Sequence, residues 1–303
     1  MAVSSSSSSP LGKKDRREAA RATARLEREA EKKRQRRNRI FLQGGVGVGV
    51  LAVVAIVALI VVNSSAPAAP GPKNMASGGI VLTAQNKAIG AVKTGPAPAD
   101  GSIASPASAT TAGKAHIVTY LDWACPACKE FESSSGIKVA ALVSNGNAVL
   151  EVHPIAILDS KFAGSRYSSR AANVAACVAN FAPDSFLKAQ TTFYKNQPAE
   201  SSTGLTNKAM IKLLTDAGIK DPKITKCVNE ESFKSWVAQV TRKTAMTKAL
   251  QGTTAGSFGT PTVLVNGKKW DNATDFMAFA MKSTGSGAPA PVPAPVPAPT
   301  PSK

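Results

Sequence analysis

The chain has 303 residues, 43% of them apolar, and a formal net charge of +18. Its length suffices for one sizeable globular domain, although Ser, Pro, Ala and Gly crowd both ends and the segment before residue 115. A charge this positive is typical of nucleic-acid-binding proteins. Because much of it lies in one N-terminal segment, we expect it to set membrane topology and expect no nucleic-acid partner.

The four cysteines and two histidines argue against a metal centre. Only one Cys-x-x-Cys pair is present, whereas a zinc site built from cysteine alone needs four thiolates. The histidines, His116 and His153, both lie in strand-like apolar segments. We therefore expect neither a metal nor another cofactor.

Residues 1–40 form a serine run followed by a highly charged segment. From Lys13 to Arg39 the sequence has 13 Lys or Arg and five acidic residues, a net charge of +8. The composition favours a helix, but one that is charged on every side and has no face to bury. RNA or lipid binding is one interpretation. We favour a solvated cytoplasmic segment.

Residues 41–62 are predicted to form a transmembrane helix. These 22 residues carry no charge and would span about 33 Å as a helix, enough for a bilayer core. The basic segment before them places the N-terminus in the cytoplasm and the rest of the chain outside. A cleaved signal peptide has a shorter apolar region, and Pro67 disfavours cleavage at Ser64–Ala66. The sequence predicts a single-pass anchor in the cell membrane.

Two further segments have compositions that do not favour a core. Residues 63–77 are predicted to be a Pro/Ala/Ser linker, and residues 284–303 a tail that ends with proline at every second position from Pro289 to Pro301. The tail fits a rod, a ligand for another protein or a solvated end, and we favour the last. Between them, residues 78–283 are predicted to form the folded domain.

The strands of this domain are predicted from apolar runs. Gly78–Thr83 and Ala88–Val92 predict a hairpin at the domain edge. His116–Leu121 is typical of a central strand that is covered on both faces. Ala148–Leu158 predicts a second strand, with Pro154 at a bulge or a sheet edge.

Helices are predicted in the remaining parts. Cys125–Ser144 should be helical with a bend at Ser133–Gly136. About residues 161–252 contain no convincing strand and predict four helices, Arg166–Phe181, Phe186–Lys195, Asn207–Ala217 and Ser232–Ala249. Thr260–Trp270 predicts a hairpin with an Asn-Gly turn, and Ala273–Met281 a closing helix. This order predicts an α/β thioredoxin fold with an inserted helical domain, preceded by one transmembrane helix.

The Cys-x-x-Cys pair, Cys125 and Cys128, lies where the central strand meets the next helix. A thiol reacts as its thiolate, which a helix N-terminus stabilises through unpaired N–H groups and its dipole. Pro126 suits the first helical turn. We predict Cys125 as the attacking thiolate and Cys128 as the thiol that resolves a mixed disulfide. The alternative is a purely structural disulfide.

Thr260-Pro261 is the second element of the predicted site. A proline that opens a strand is explained by a cis peptide bond beside the site, and proline is the residue for which this form costs little. Such a turn would bring the Thr260 backbone next to Cys125. There it could hydrogen-bond an extended substrate as an added strand.

Trp123-Ala-Cys-Pro-Ala-Cys-Lys-Glu-Phe131, the helical insertion and Gly259-Thr-Pro-Thr-Val-Leu-Val-Asn-Gly267 together resemble the DsbA-like thioredoxin-fold family, especially its membrane-anchored actinobacterial members. The resemblance covers roughly residues 78–283. It implies a thiol:disulfide oxidoreductase that acts on unfolded exported proteins, with a catalytic cysteine pair and a cis Pro261. It also implies reoxidation by a quinone-linked membrane partner of the DsbB or VKOR type.

The sequence departs from the family at one position. Related domains often carry an acidic residue six positions before the first cysteine, as proton acceptor for the resolving thiol. Thr119 occupies that position here, whereas Asp122 resembles a second acidic position of the family. Asp122, Glu130 or water are therefore the candidates for proton transfer.

Cys177 and Cys227 lie in the predicted helical insertion. Four cysteines permit three pairings, and pairing within the Cys-x-x-Cys motif leaves Cys177–Cys227. The resemblance to actinobacterial relatives also favours this bond, which would persist outside the membrane. A second redox relay is the competing interpretation.

An oxidase is the leading functional prediction. A reductase or isomerase would differ only in the resting redox state, and Thr260 before the proline also occurs in isomerase-like relatives. A non-catalytic binding module of the cell envelope is the alternative from another class. The intact cysteine pair and proline motif weigh against it.

Overall fold

A computed structural model describes part of the chain, namely residues 33, 70–86, 88–104, 114–252, 257–272 and 274–284. The chain divides into two compact units, residues 1–67 and 68–303, and the fold below is that of the second. The predicted transmembrane helix, nearly all of the basic segment and most of the C-terminal tail lie outside the described residues. Within those residues, no helix has the length and apolar character needed to cross a membrane.

A mixed sheet forms the centre of the described unit. Its strand order is β2-β1-β4-β3-β5-β6, and only β3 and β4 pair in parallel. The strands are β1 Ile80–Gln85, β2 Ala88–Ala91, β3 Ala115–Leu121, β4 Ala148–Pro154, β5 Thr262–Val265 and β6 Lys268–Lys269. The two predicted hairpins are β1–β2 and β5–β6, and the predicted central strand is β3.

Every residue of β3 and β4 is buried, as their continuous apolar sequences predict. The expected bulge or sheet edge at Pro154 is wrong, because β4 lies between β1 and β3. Pro154 is instead the last residue of β4, and the pairing of β4 with β1 ends before it, at Val152. The missing N–H of the proline therefore interrupts no hydrogen bond of the sheet.

Eight α-helices lie in the described part of the chain. They are α1 Pro126–Phe131, α2 Ile137–Ser144, α3 Tyr167–Phe181, α4 Phe186–Lys195, α5 Asn207–Asp216, α6 Pro222–Asn229, α7 Lys234–Met246 and α8 Phe276–Thr284. Helices α3 to α7 are inserted between β4 and β5, which confirms an α/β fold of the thioredoxin type with added helices. The predicted bend between α1 and α2 is a π-helical turn, Glu132–Gly136.

The sequence analysis missed helix α6. This helix is short and begins with Pro222, which looks like a helix breaker in the sequence. The structure uses the proline at the first helical position, where no N–H is needed. The side chain of Asp221 caps the helix by accepting a 2.8 Å hydrogen bond from the Lys223 N–H.

Residues 70–77 differ from the extended linker expected there. The Gly71 N–H donates to the Ala97 carbonyl at 3.0 Å, and the Met75 side chain is fully buried. A Cβ atom at Gly71 would lie 2.5 Å from the Trp236 indole, so only glycine allows this approach. The small residues that suggested a linker are the ones that permit close packing against α7.

The two histidines lie on neighbouring strands and contact the same carboxylate. The Nε2 atoms of His116 and His153 are 3.1 Å and 2.9 Å from the Glu151 carboxylate oxygens. Burial alone would raise the pKa of Glu151, but hydrogen bonds from both histidines and Ser77 hold it well below its usual range. In the described ranges, no group of three His, Cys, Asp or Glu side chains is arranged to hold a metal ion.

Candidate active site

The cysteine pair lies at the junction of β3 and α1. Cys125 precedes the first residue of α1 with an extended backbone, and Pro126 begins the helix. Both cysteines are free thiols and both are buried, Cys125 with 6% of its surface exposed and Cys128 with none. Pro126 and Ala127 between them are exposed. A partner can therefore reach this end of the helix, where Cys125 is the outer of the two sulfurs.

The second predicted element lies beside the first. The Thr260–Pro261 peptide bond is cis. In its protonated form the Cys125 thiol donates a hydrogen bond to the Thr260 carbonyl oxygen at 3.3 Å, although the two residues are 135 positions apart. Gly259 is exposed, and a Cβ atom there would meet nothing within 4 Å. The backbone before the proline thus forms an open edge next to the reactive sulfur.

The two thiols have opposite electrostatic environments. A hydrogen bond from the Cys128 thiol lowers the pKa of Cys125. Burial opposes this shift, the N–H groups of Ala127 and Cys128 add to it, and the resulting pKa is about 6. Burial raises the pKa of Cys128 well above its usual value. At neutral pH the outer sulfur is therefore a thiolate and the inner sulfur a thiol, which suits one for attack and the other for resolution.

We expect alkylation of the reduced protein by iodoacetamide to separate these two thiols. The rate at Cys125 should rise with pH around a midpoint of about 6, because only the thiolate reacts. Cys128 should stay unmodified throughout that range. Mass spectrometry of peptides from samples quenched at each pH would measure both rates. As a control, the Cys128→Ser variant should keep a reactive Cys125. A common midpoint near 8.5, the value of a free thiol, would contradict the assignment.

Asp122 holds the active-site loop in place from its buried side. Its fully buried carboxylate accepts hydrogen bonds from the Ser168 hydroxyl at 2.6 Å and from the N–H groups of Ala124, Ile157 and Leu158 at 2.9, 2.9 and 3.2 Å. Burial raises the pKa of Asp122 to about 6, although these hydrogen bonds oppose the shift. The four donors already occupy both carboxylate oxygens, so the geometry is that of an anchor.

The other two positions considered for proton transfer differ from each other. Glu130 is exposed on the surface of α1. Thr119, at the position where the family carries an acid, is buried, and its hydroxyl is 3.4 Å from the Glu151 carbonyl. Neither side chain therefore places a buried carboxyl group beside Cys128.

The inserted helices hold the active-site loop from the other side. The side-chain amide of Gln197, just after α4, donates to the carbonyl oxygens of Trp123 and Cys125, both at 3.0 Å. The Trp123 ring packs against Phe186 and Phe193 of α4, with centroids 5.8 and 4.7 Å away. No sequence motif marks Gln197, because its role depends on tertiary contact between α4 and the loop.

Glu132 is a half-buried acid that the sequence analysis did not single out. Its Oε1 accepts a hydrogen bond from the Gln190 side chain at 2.9 Å, and burial raises its pKa to about 7. Spacing could have found it, since residues four apart lie on one face of a helix and Glu132 follows Cys128 by four. The sequence analysis chose Glu130, which faces solvent.

The remaining cysteines form a disulfide. Cys177 of α3 and Cys227 of α6 are joined, with Cα atoms 5.9 Å apart, and both side chains are buried. The bond links the longest inserted helix to the one that sequence analysis missed.

A thioredoxin-type sheet with a Cys-x-x-Cys pair at a helix N-terminus beside a cis-proline defines the class of thiol:disulfide oxidoreductases. The model of a family described as Thioredoxin matches residues 106–281, more than half of the chain, and the protein belongs to this family. A comparison with curated protein sequences gave no match.

Two solved structures with the same fold are from Mycobacterium tuberculosis. Oxidised DsbA is 27% identical with a TM-score of 0.50, and the match covers 68% of this chain and 93% of DsbA. Reduced DsbG, described as a disulfide bond oxidoreductase, is 26% identical with a TM-score of 0.50, covering 72% and 90%. These similarities confirm the DsbA-like identification made from the sequence.

Proposed function

We propose that this protein is an extracytoplasmic disulfide oxidase that introduces disulfide bonds into unfolded exported proteins through Cys125 and Cys128. The lowered pKa of Cys125 carries the proposal. A stabilised thiolate favours the reduced form of the pair, and a pair whose reduced form is stabilised is a strong oxidant of other thiols.

The geometry supports a two-step exchange. A substrate thiolate attacks Cys125 in the Cys125–Cys128 disulfide, so that a mixed disulfide forms and Cys128 leaves. A second substrate thiolate then attacks the substrate sulfur of that bond, and Cys125 leaves as a thiolate. Two substrate thiols become a disulfide and the cysteine pair is reduced. The open backbone at Thr260 supports substrate binding as an added strand.

Each cycle leaves the cysteine pair reduced, so the proposal requires a reoxidising partner. A quinone-linked membrane protein of the DsbB or VKOR type fits a catalytic domain that is tethered outside the membrane by residues 41–62. The Cys177–Cys227 disulfide supports an oxidising compartment.

A reductase or isomerase is the second candidate. It would use the same sulfur atoms but rest in the reduced state. Thr260 is the observation that favours it, because a threonine before the cis-proline is also found in isomerase-like relatives. Here Thr260 contacts Cys125 through its carbonyl oxygen.

Thiol trapping in intact cells tests the proposed function. Cells are acid-quenched and treated with a maleimide reagent of large mass, and the full-length protein is detected by its shift on a gel. We expect the Cys125–Cys128 pair to be mostly oxidised and therefore unlabelled. A Cys125→Ser/Cys128→Ser variant serves as the reference that lacks both thiols. A mostly reduced pair would favour the reductase or isomerase. Labelling by a membrane-impermeant maleimide after mild reduction tests the outside location.

A further inference from the structure

The buried position of Cys128 creates a requirement for a proton acceptor. Cys128 has no exposed surface, and burial keeps its pKa well above the usual value. It must nevertheless become a thiolate to attack a mixed disulfide on Cys125. Glu130 is exposed, and the carboxylate oxygens of Asp122 accept four hydrogen bonds. Glu130 is thus separated from the buried thiol, and Asp122 is already engaged in holding the active-site loop.

Glu132 lies one helical turn beyond Cys128. The Glu132 N–H donates to the Cys128 carbonyl, so the two residues have the normal i, i+4 relation and their side chains lie on the same face of the helix. Helix α4 packs on this face with Gln190 and Tyr194, which are also four residues apart. Gln190 bonds to Glu132, and the Tyr194 hydroxyl lies 3.5 Å from the Asp122 carbonyl, beneath the cysteine loop.

The Glu132 carboxyl group can be accommodated in both protonation states. Its Oε1 accepts from the Gln190 Nε2, and the buried Oε1 of Gln190 has no hydrogen-bond partner among the described residues. After a flip of the amide group, that oxygen could accept from a protonated Glu132. A Cβ atom on Gly136 would lie 2.8 Å from the Glu132 Oε2, so the glycine leaves room for the carboxyl group. The raised pKa of Glu132, about 7, populates both forms near neutral pH.

Tyr194 is an electrostatic neighbour of both groups. Burial raises its pKa well above the usual value, and the negative charges of Cys128 and Glu132 raise it further, ahead of those of Asp122 and Cys125. Its hydroxyl therefore stays neutral and can donate or accept a hydrogen bond. The Tyr194 side chain is buried and lies within electrostatic range of both Cys128 and Glu132.

We propose that Glu132 is the proton acceptor for Cys128, a role that rests on the proposed dithiol chemistry. During reoxidation the Cys128 thiol gives its proton to the Glu132 carboxylate, and its sulfur attacks Cys125 in the mixed disulfide. The Cys125–Cys128 bond forms as the bond to the oxidant breaks, and the oxidant leaves as a thiolate. When a substrate thiolate opens the Cys125–Cys128 disulfide, protonated Glu132 returns the proton to the departing Cys128.

Reaction of the reduced full-length protein with oxidised glutathione tests this role. The Cys125 thiolate attacks first and forms a glutathione adduct, and Cys128 then displaces the glutathione. Acid-quenched samples analysed by mass spectrometry give both rates. In the wild type, resolution should accelerate as the pH rises through about 7, where Glu132 becomes a carboxylate. Glu132→Gln should remove this step from the pH profile and slow resolution roughly 10²-fold at pH 7, the lower end of what a positioned base contributes.

Three comparisons make the test decisive. Glu132→Gln keeps an oxygen that can accept from Gln190, so the fold should persist, and adduct formation should stay at the wild-type rate. Gly136→Ala, which crowds the carboxyl group without removing it, should also slow resolution. Wild-type resolution in both variants would overturn the proposal, as would an equal slowing by Glu130→Gln. Failure to form any adduct on Cys125 would instead contradict the proposed function.

Discussion

Replacing Cys125 by serine is expected to reduce disulfide transfer to the uncatalysed rate. A hydroxyl group cannot form the mixed disulfide, and Cys128 has no exposed surface from which to replace it. The effect is measured as the rate at which a reduced, unfolded substrate protein loses its free thiols during oxidation. Cellular function unchanged in a Cys125→Ser/Cys128→Ser variant would favour the non-catalytic binding module.

Cys128→Ser provides the matched comparison for this prediction. The variant retains the attacking thiolate but lacks the resolving thiol, so it should accumulate substrate proteins that are disulfide-bonded to Cys125. Non-reducing gels of cell extracts would show these adducts, which a reductant should release. An absence of adducts in Cys128→Ser, together with adducts in Cys125→Ser, would reverse the roles assigned to the two cysteines.

Removal of the Cys177–Cys227 disulfide should destabilise the protein by about 4 kcal/mol. The bond joins positions 50 residues apart, and in the loop-entropy model a cross-link of this span stabilises the fold by about that amount. Urea unfolding of Cys177→Ala/Cys227→Ala measures the loss as a lower midpoint. In both proteins compared, Cys125 and Cys128 are also changed to alanine, so that the two proteins differ in only one disulfide.

The same variant distinguishes a structural bond from a second redox relay. Reductant should lower the stability of the protein that keeps the Cys177–Cys227 bond and leave the variant unchanged. With the Cys125–Cys128 pair intact, removal of the structural bond should preserve the rate of disulfide transfer below the unfolding transition. A large loss of transfer rate in a fully folded variant would favour the relay.

The sequence predicted much of the fold because its signals are local or strongly periodic. The apolar run of β3 is long enough to require cover on both faces, and Asn266-Gly267 adopts the positive φ angles of a tight hairpin turn. Residues 70–77 and helix α6 were not predicted correctly. Small residues such as those of 70–77 occur both in linkers and in closely packed segments, and a proline can either end or begin a helix. Packing against distant helices decides between these alternatives.

The sequence by itself determined the candidate reactive pair. Cys125, Pro126 and Cys128 have their chemistry through spacing and through the N-terminus of the helix they begin, which are local properties. Only the tertiary structure decided what surrounds that pair. It brings the Thr260 carbonyl to Cys125 across 135 residues and makes Asp122 an anchor. It also places Glu132 against Gln190 in a half-buried position, while Glu130 stays in solvent. Burial and long-range hydrogen bonds set these differences, and neither is encoded in the spacing of residues along the chain.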